Sequence, residues 1–455
     1  MNIQINNLGP IKRGEIPLNS SLLFFVGFNN SGKSYATQLI WAIYNEKFRI
    51  DFLRSLNLNS ITKVRKVDNF KFNQQIANKI IEAFEKYIED KIHSIFNLGK
   101  NEFKNFKIKF VFEENEINNL IKSHSEEFRF LSYRDSSKKV IITRDGNQVI
   151  SIKGDIDHFE IDEIKLKVIE FCFFSLFVGE QSFFLPAIRG AYVNLFQYIN
   201  KFEKEKKDYI DKYINDNTKI KLESVLEVIE ESKSSYTLAT NLLINKLTNL
   251  NLETEKSDKY EHFQNIVKEM IGGEIIKKDY SLLANNSKFF LNINKNELPM
   301  HVSSSTTNQL APLYLFFKYW GHKYLNDMLI IDEPEENLHP ENQIKFLEMM
   351  FQFVSEGNKA VITTHSILLT KALNSHIAFN ELTKENQEKI IEETGFKHFP
   401  QINKSNVKVC FFNGEEILPY PVNEYGTVFH DFVKVEENVN SHFRIITNKL
   451  FDQNE

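Results

Sequence analysis

The segment FFVGFNNSGKS, Phe24 to Ser34, carries the first residues whose types and spacing point to chemistry. Gly27 to Ser34 fits G-x-x-x-x-G-K-S, a loop whose backbone N–H groups surround phosphates while its lysine reaches the outer ones. The motif predicts a nucleotide site in which Ser34 also holds Mg²⁺ and whose other ligands are Gly27, Asn29, Asn30, Ser31, Gly32 and Lys33. The alternative is a glycine turn beside a chance lysine, which is a rare event with only 16 glycines in 455 residues.

A second group of chemical residues lies in MLIIDEPEENLHP. Phosphate chemistry needs a carboxylate for the metal and a base for water. Asp332, at the end of an apolar run, is predicted to bind Mg²⁺ through its hydration shell, and Glu333 is predicted to polarise the attacking water. The alternative is a buried strand that runs into an acidic turn.

Two further features complete the predicted site. His365 ends the apolar run of AVITTHS, from where an imidazole can contact the γ-phosphate or the attacking water; a structural histidine is the alternative. In HVSSSTTNQLAPLYLFFKYW, Ser303 to Ser305 can cap an apolar helix, and a helix N-terminus also attracts anions. This end of the helix is therefore predicted to bind a phosphate. The alternative is a helix cap without a ligand.

Short strands and helices must position these groups. Leu22 to Val26 reads as a strand before the phosphate loop, and Tyr35 to Tyr44 spaces apolar residues on one helical face. Met328 to Ile331 and the start of AVITTHS read as two more strands, with a separation that suits a βαβ unit. Because parallel strands end at one edge of a sheet, the loop, Asp332 and His365 are expected to converge there.

Composition restricts the protein class. With 42% hydrophobic residues the chain can bury a large core, and its two cysteines cannot form a disulfide framework. The N-terminus lacks a secretory apolar segment and no stretch is long enough to span a membrane, so a cytoplasmic protein without a membrane partner is expected. The net charge of −5 gives no overall attraction to nucleic acid. DNA contact would have to be local, at KVRKV (Lys63 to Val67) or KFEKEKK (Lys201 to Lys207), and both read better as solvated faces.

In the order phosphate loop, serine-led helix, Asp-Glu-Pro strand and strand-end histidine, the chain resembles the ABC-type ATPases. That class includes transporter engines, SMC-like DNA-repair proteins and OLD-like bacterial ATPases. The stretches DEPEENLHPENQ, TTHS, SSSTTNQLAPL and FFLPAIRG look most like the stand-alone bacterial AAA-family proteins of phage-defence systems such as Septu and PARIS. The resemblance covers the ATPase core, about half of the residues.

The resemblance implies an α/β fold, a P-loop NTPase with an ABC-type core, that uses ATP and Mg²⁺. It also implies a head-to-head homodimer, or a higher homo-oligomer, in which Ser304 and Ser305 of one subunit complete the nucleotide site of the other. The family helix carries glycine after its serine, whereas Thr306 follows here. No Q-loop glutamine can be placed; Arg189 of FFLPAIRG is predicted to replace it as a nucleotide ligand, and an ordinary surface arginine is the alternative.

The long separation of Lys33 from Asp332 predicts that insertions split the core. The predicted parts are core at 1–45, a mixed helix/strand insertion at 46–179, a core strand at 180–190, a helical arm at 191–271, core at 272–380 and a small C-terminal segment at 381–455. Within them, KKVIITRDGNQVISI has an Asp145-Gly146 hairpin signal, FFLNINKNELPM reads as one strand, NVKVCFFNGEEILPYPVNEYG as a hairpin, and Val435 to Leu450 as a final helix.

These features favour an ATP-dependent switch that controls a separate effector protein, such as a nuclease, in phage defence. The alternative is an SMC-like DNA-binding repair or chromosome ATPase; a transporter engine is disfavoured because its serine-led motif lies closer to the phosphate loop. No nuclease is expected in the chain itself. Its one D-x-D triplet, Asp155 to Asp157, lies upstream in an insertion, and no zinc, HNH or Ser/His/Asp constellation stands out.

Overall fold

The protein is described by a computed structural model. It describes residues 1–57, 61, 70–123, 128–131, 139–144, 149–155, 159–177, 181–196, 198–199, 202, 205, 208, 236–250, 258–279, 287–322 and 325–454. The KVRKV run, the Asp145-Gly146 pair, Asp157 and most of KFEKEKK lie outside the described residues. Among the residues described, no helix combines the length and the apolar character needed to cross a membrane.

Strands of three sheets organise the chain. They are β1 Asn2–Leu8, β2 Ile11–Pro17, β3 Leu22–Gly27, β4 Phe70–Lys71, β5 Lys107–Val111, β6 Phe128–Leu131, β7 Lys139–Arg144, β8 Val149–Gly154, β9 Gln181–Leu185, β10 Glu274–Asp279, β11 Ser287–Ile293, β12 Asn296–Pro299, β13 Asp327–Asp332, β14 Lys359–Thr363, β15 Val407–Phe412 and β16 Glu416–Tyr420. The main sheet has nine strands in the order β5-β1-β2-β16-β15-β3-β14-β13-β9.

Helices cover the sheets. They are α1 Lys33–Tyr44, α2 Glu46–Ser55, α3 Gln74–Phe96, α4 Glu116–Ser123, α5 Ile161–Leu176, α6 Leu238–Asn249, α7 Glu261–Ile271, α8 Ser305–Leu315, α9 Pro340–Ser355, α10 Ile367–Asn380, α11 Lys384–Thr394 and α12 His430–Asn454. Residues 189–196 are also helical. The predicted α/β fold is confirmed, including the strands and helices that flank the phosphate loop, Asp332 and His365.

One half of the main sheet, from β15 to the edge strand β9, is parallel, and its strand β3 is buried on both faces. Strands β15, β3, β14, β13 and β9 run parallel to their neighbours in that order. Along β3, Leu22, Phe24 and Val26 pack into one apolar core, while Leu23 and Phe25 pack into the other. This is the period of two that a strand between two helical layers requires, and it explains why the strand is apolar throughout. The carboxyl ends of these strands therefore share one edge.

Several predicted parts take a more specific form. From the insertion at 46–179, β5 pairs with β1 at the rim of the main sheet, and β4, β6, β7 and β8 form a separate sheet. The range 381–455 is not peripheral, since its predicted hairpin, β15 and β16, lies inside the main sheet. The domain boundaries themselves stay predictions.

FFLNINKNELPM is not the single strand that the sequence predicted. It forms the paired strands β11 and β12, which are joined at Asn294 and Lys295. Both joining residues have positive φ, at 50° and 72°. That is the backbone of a tight two-residue hairpin turn, which asparagine tolerates better than most residues. The sequence pattern did not indicate the turn, because a strand-like pattern precedes it and another follows it.

Gly27 ends β3 where the C-terminal strand β15 runs alongside. Its φ is 142°, and a Cβ atom built on it would lie 2.1 Å from the Phe412 carbonyl oxygen. A side chain at this position would therefore push the two central strands apart.

We expect Gly27→Ala to lower the free energy of unfolding by at least about 2 kcal/mol, because it adds both backbone strain and an overlap with backbone. Urea unfolding measures the change. Gly99→Ala is the matched control, since a Cβ there meets nothing within 4 Å and the φ of Gly99 is −63°. Equal unfolding midpoints for the two variants would contradict this account of Gly27.

Candidate functional site

The loop from Gly27 to Ser34 connects β3 to α1 and has the backbone of a phosphate cradle. Gly32 precedes α1 with φ of 99°, and Asn30 has φ of 57°. Gly32 has no side chain to cap the helix, so N–H groups of the first turn are left to an anion. Asn29 and Asn30 are exposed, whereas Ser31 is buried and its Oγ has no hydrogen-bond partner among the described residues.

Lys33 lies folded into this loop. Its side chain is only 5% exposed, and Nζ donates hydrogen bonds to the carbonyl oxygens of Gly27, at 3.2 Å, and Phe28, at 2.8 Å. Burial lowers the pKa of Lys33, and the nearby carboxylates of Glu333 and Asp332 act against that shift. The ammonium group is thus held at the start of the loop, close to the carboxylates of Glu333 and Asp332.

Asp332 joins the loop to the neighbouring strands. Ser34 Oγ donates to Asp332 Oδ2 at 2.7 Å, and Thr363 Oγ1 donates to Asp332 Oδ1 at 2.5 Å. Burial raises the pKa of Asp332, while the two hydroxyl donors oppose the rise. The structure thus brings the two predicted metal ligands into contact. Sequence reasoning missed Thr363, although it is one of two threonines at the tip of the AVITTHS strand.

Glu333 and His365 meet at the same edge. His365 Nε2 lies 3.3 Å from Glu333 Oε1, and the hydrogen bond from His365 is the main cause that lowers the pKa of Glu333. The backbone of Glu333 has φ of 48°, and its N–H donates to Thr363 Oγ1 at 2.9 Å. An ionised carboxylate beside an imidazole can accept a proton from water.

Glu335 is a supporting residue that sequence reasoning missed. Its Oε1 accepts hydrogen bonds from Thr364 Oγ1, at 2.7 Å, and from the backbone N–H of His365, at 2.6 Å. Burial raises the pKa of this carboxyl group. Glu335 therefore fixes the strand end that carries His365. The acidic run in DEPEEN was the available signal, but a sequence pattern does not separate a buried glutamate from an exposed one.

Arg189 is buried and bonded to backbone. The side chain is 2% exposed, and its guanidinium donates to four backbone carbonyl oxygens, those of Pro186, Gln309, Asp332 and Pro334. Burial lowers its pKa to about 10, so it stays protonated near neutral pH. The burial contradicts the alternative of an ordinary surface arginine, while the contact of Arg189 with nucleotide stays a prediction. Arg189 holds the backbone on both sides of Glu333.

The serine-led helix α8 begins with a side-chain cap. Ser304 Oγ accepts a hydrogen bond from the N–H of Thr307 at 3.1 Å, as the capping pattern predicted. Ser305 is exposed, and Thr306 Oγ1 donates to the carbonyl oxygen of Asn337 at 2.8 Å in the turn after Glu333. Within one subunit Ser304 is therefore a cap, and the contact of Ser304 and Ser305 with nucleotide stays a prediction.

Gln309 connects this helix to the rest of the site. Its amide nitrogen donates to the carbonyl oxygen of Ala187, at 2.6 Å, and to Glu336 Oε2, at 3.2 Å. Its amide oxygen accepts from the N–H of Gly190 at 3.3 Å. Together with Arg189, this side chain ties α8 to the turn that follows β9 and to the acidic turn.

We expect Arg189→Lys to lower the free energy of unfolding by at least about 2 kcal/mol, because an ammonium group cannot reach all four carbonyl oxygens and leaves buried acceptors unpaired. The exposed Arg54 offers the same substitution without burial. Arg54→Lys should change the free energy by less than about 0.5 kcal/mol. Urea unfolding of both variants measures the two changes. A decrease in the free energy of unfolding below about 0.5 kcal/mol for Arg189→Lys would contradict a stabilising role of its four hydrogen bonds to carbonyl oxygens.

The chain has a distant structural similarity to solved SMC head domains. It is similar to the Smc head domain with an extended coiled coil bound to the C-terminal domain of ScpA from Pyrococcus furiosus, at 12% identity over 96% of this chain and 98% of that one, with a TM-score of 0.33. The SMC head domain from Thermotoga maritima gives 10% identity, 92% and 98% coverage and a TM-score of 0.29. Similarities of this size do not identify a function.

No curated protein matches the chain. The sequence profile of the AAA ATPase domain, by contrast, matches residues 1–370. That range includes the phosphate loop, the serine-led helix, Asp332, Glu333 and His365. The chain therefore belongs to the AAA ATPase domain family.

Proposed function

We propose that this protein is an ATP-hydrolysing switch whose two copies close on ATP and control a separate effector. The observation that carries the proposal is the convergence of Lys33, Asp332, Glu333 and His365 on one edge of the parallel sheet. The contacts of Ser34 with Asp332 and of Glu333 with His365 join segments that are far apart in sequence. A cation, two carboxylates and an imidazole at one place can bind the phosphates, hold the metal and activate the water that cleaves the phosphoanhydride bond of ATP.

Each side chain has a separate task in the proposed reaction. Lys33 leaves the carbonyl groups of Gly27 and Phe28 to bind the outer phosphates of ATP. Glu333 accepts a proton from the attacking water, for which its lowered pKa keeps it ionised. His365 orients Glu333 through their hydrogen bond, and Glu335 holds the backbone of His365 in place.

Mg²⁺ fits the same site. Ser34 and Asp332 present a hydroxyl and a carboxylate oxygen, which are the ligand types this ion prefers, and the two side chains already touch. We propose that Ser34 binds the ion directly and that Asp332 binds it through water. When bound, the ion neutralises charge on the phosphates.

The second copy enters through α8. Ser304 is committed to its helix cap, but the exposed Ser305 and the free N–H groups of the first turn can meet a phosphate held by another subunit. Arg189 and Gln309 tie this helix to the backbone around Glu333. When the two copies close, a displacement of α8 would thus be transmitted to the backbone of Glu333 in the same subunit.

Phage defence is the setting that we infer from the resemblance of DEPEENLHPENQ, TTHS and FFLPAIRG to the ATPases of such systems. In that setting the effector chemistry, such as nuclease activity, lies on another protein. Cells that express the chain with its neighbouring genes should lose protection from phage when Lys33 is replaced by Ala. Protection that persists would refute the role of ATP in defence, while hydrolysis can be measured on the purified chain.

Glu333→Gln should slow ATP hydrolysis by about 10²- to 10⁴-fold, the usual contribution of a general base, while ATP still binds. Lys33→Ala is the contrasting variant and should lose binding itself, because the cation that meets the outer phosphates is gone. Phosphate release measures hydrolysis, and a fluorescent ATP analogue measures binding. Hydrolysis by Glu333→Gln at the wild-type rate would remove Glu333 from the reaction.

In the Glu333→Gln background ATP should persist and hold two copies together, since nucleotide then forms part of the interface. Adding Ser305→Arg should abolish this ATP-dependent association and leave ATP binding within one copy intact. Ser305→Thr keeps a hydroxyl at the same exposed position and serves as the control. Light scattering with and without ATP gives the oligomeric state. Association that survives Ser305→Arg would show that α8 does not contact the second copy.

A further inference from the structure

The last helix, α12, presents an apolar stripe to solvent. It has 25 residues, about 37 Å at the usual helical rise of about 1.5 Å per residue. Val435, Val439, Phe443, Ile446 and Leu450 are exposed by 59%, 60%, 68%, 58% and 54%. Steps of three and four residues place them on one face of the helix. Exposed apolar surface of this extent is typical of a protein-binding face.

We propose that α12 pairs in antiparallel fashion with α12 of a second copy, in a contact that does not require nucleotide. The spacing of the stripe is self-complementary about a two-fold axis between His442 and Phe443. In that arrangement Val439 lies opposite Ile446 of the second copy, and Val435 lies opposite Leu450. A closed two-fold contact of this kind uses the same patch on both subunits.

The charges on α12 favour the antiparallel direction. Glu436 lies beside the stripe in the first half of the helix and Lys449 lies beside it in the second half, whereas Glu437 and Arg444 fall on the opposite face with Ser441 and Asn448. In the proposed antiparallel register Glu436 of each helix is level with Lys449 of the other, while parallel pairing brings like charges together. Complementary flanking charges set the orientation of helix pairs.

A groove at the start of α12 continues the apolar face. It has a volume of about 330 Å³ and is lined by residues that include Val428, Phe429 and Val433. Tyr425, on its rim, is 76% exposed. Lys371 Nζ contacts Glu436 Oε1 at 2.7 Å and fixes the helix beside this groove. In the antiparallel pair the end of the second copy's α12 reaches the groove, so the contact surface extends beyond the helix stripe.

The oligomeric state of the full chain without nucleotide tests the proposal. Sedimentation equilibrium should show a dimer, and Val439→Glu with Ile446→Glu should raise its dissociation constant at least about tenfold, because it places unpaired charges in an apolar contact. Ser441→Glu with Asn448→Glu adds the same charge on the opposite face and should leave the dimer intact. Far-UV circular dichroism confirms that both variants remain folded.

Disulfide formation tests the direction of the pair. The two native cysteines, Cys172 and Cys410, are buried, so introduced thiols are the ones that react. A chain with both Val439→Cys and Ile446→Cys should cross-link across the antiparallel pair, whereas Val439→Cys alone should not. Cross-linking of Val439→Cys alone would indicate parallel helices and overturn the proposed arrangement.

Three further outcomes would refute the α12 pair without any measurement of ATP binding or hydrolysis. A chain that is monomeric without nucleotide at tens of micromolar protein would refute the helix pair, even if ATP then brings the copies together. Equal dissociation constants for the stripe variant and its control would place the dimer contact elsewhere. A different protein bound at the stripe, with no dimer of this chain, would likewise refute it.

Discussion

The buried carboxylate of Asp332 is the constraint on which the rest of the site depends. It is enclosed at the end of β13 and receives hydroxyl hydrogen bonds from Ser34 and Thr363. A buried carboxylate is costly unless such donors surround it, so the strands β13 and β14 and the start of α1 must lie in one relative position. The phosphate loop, the proposed metal ligands and the proposed base are thereby fixed together, and a shift of α1 or β14 would remove one of the two donors of this carboxylate.

Arg189 imposes a second constraint, on the backbone. Its guanidinium bonds to the carbonyl oxygens of Pro186 after β9, of Gln309 in α8, and of Asp332 and Pro334 in the acidic turn, which are three different parts of the fold. Glu333, between two of those carbonyls, has a positive φ that would be unfavourable in a free chain. The arginine thus stabilises an unusual backbone conformation at the residue proposed as the base. It acts on the site by holding this backbone in position.

The sequence could predict those parts of the fold that follow from local pattern. The phosphate loop, Asp332, Glu333 and His365 lie on short apolar strands with diagnostic neighbours, and the parallel sheet brings them to one edge. The pattern could not predict that Arg189 is buried, because only the tertiary fold supplies its four carbonyl partners. Thr363 and Glu335 were missed for a similar reason, since threonine and glutamate are common at exposed turns. The turn in FFLNINKNELPM was hidden because Asn294 and Lys295 interrupt an otherwise continuous strand pattern.

The position of β3 has a consequence for how the protein is made. This strand, at residues 22–27, is synthesised more than 300 residues before its two neighbours in the sheet, β14 at 359–363 and β15 at 407–412. Until those strands are made, the nascent chain carries its phosphate loop beside two unpaired, strongly apolar strand edges. Contacts of such long sequence separation form slowly and leave apolar surface exposed to aggregation meanwhile. The strand that carries the phosphate loop can be paired on both edges only after β15 has been made, so fragments that end before β15 lack one of its two partners.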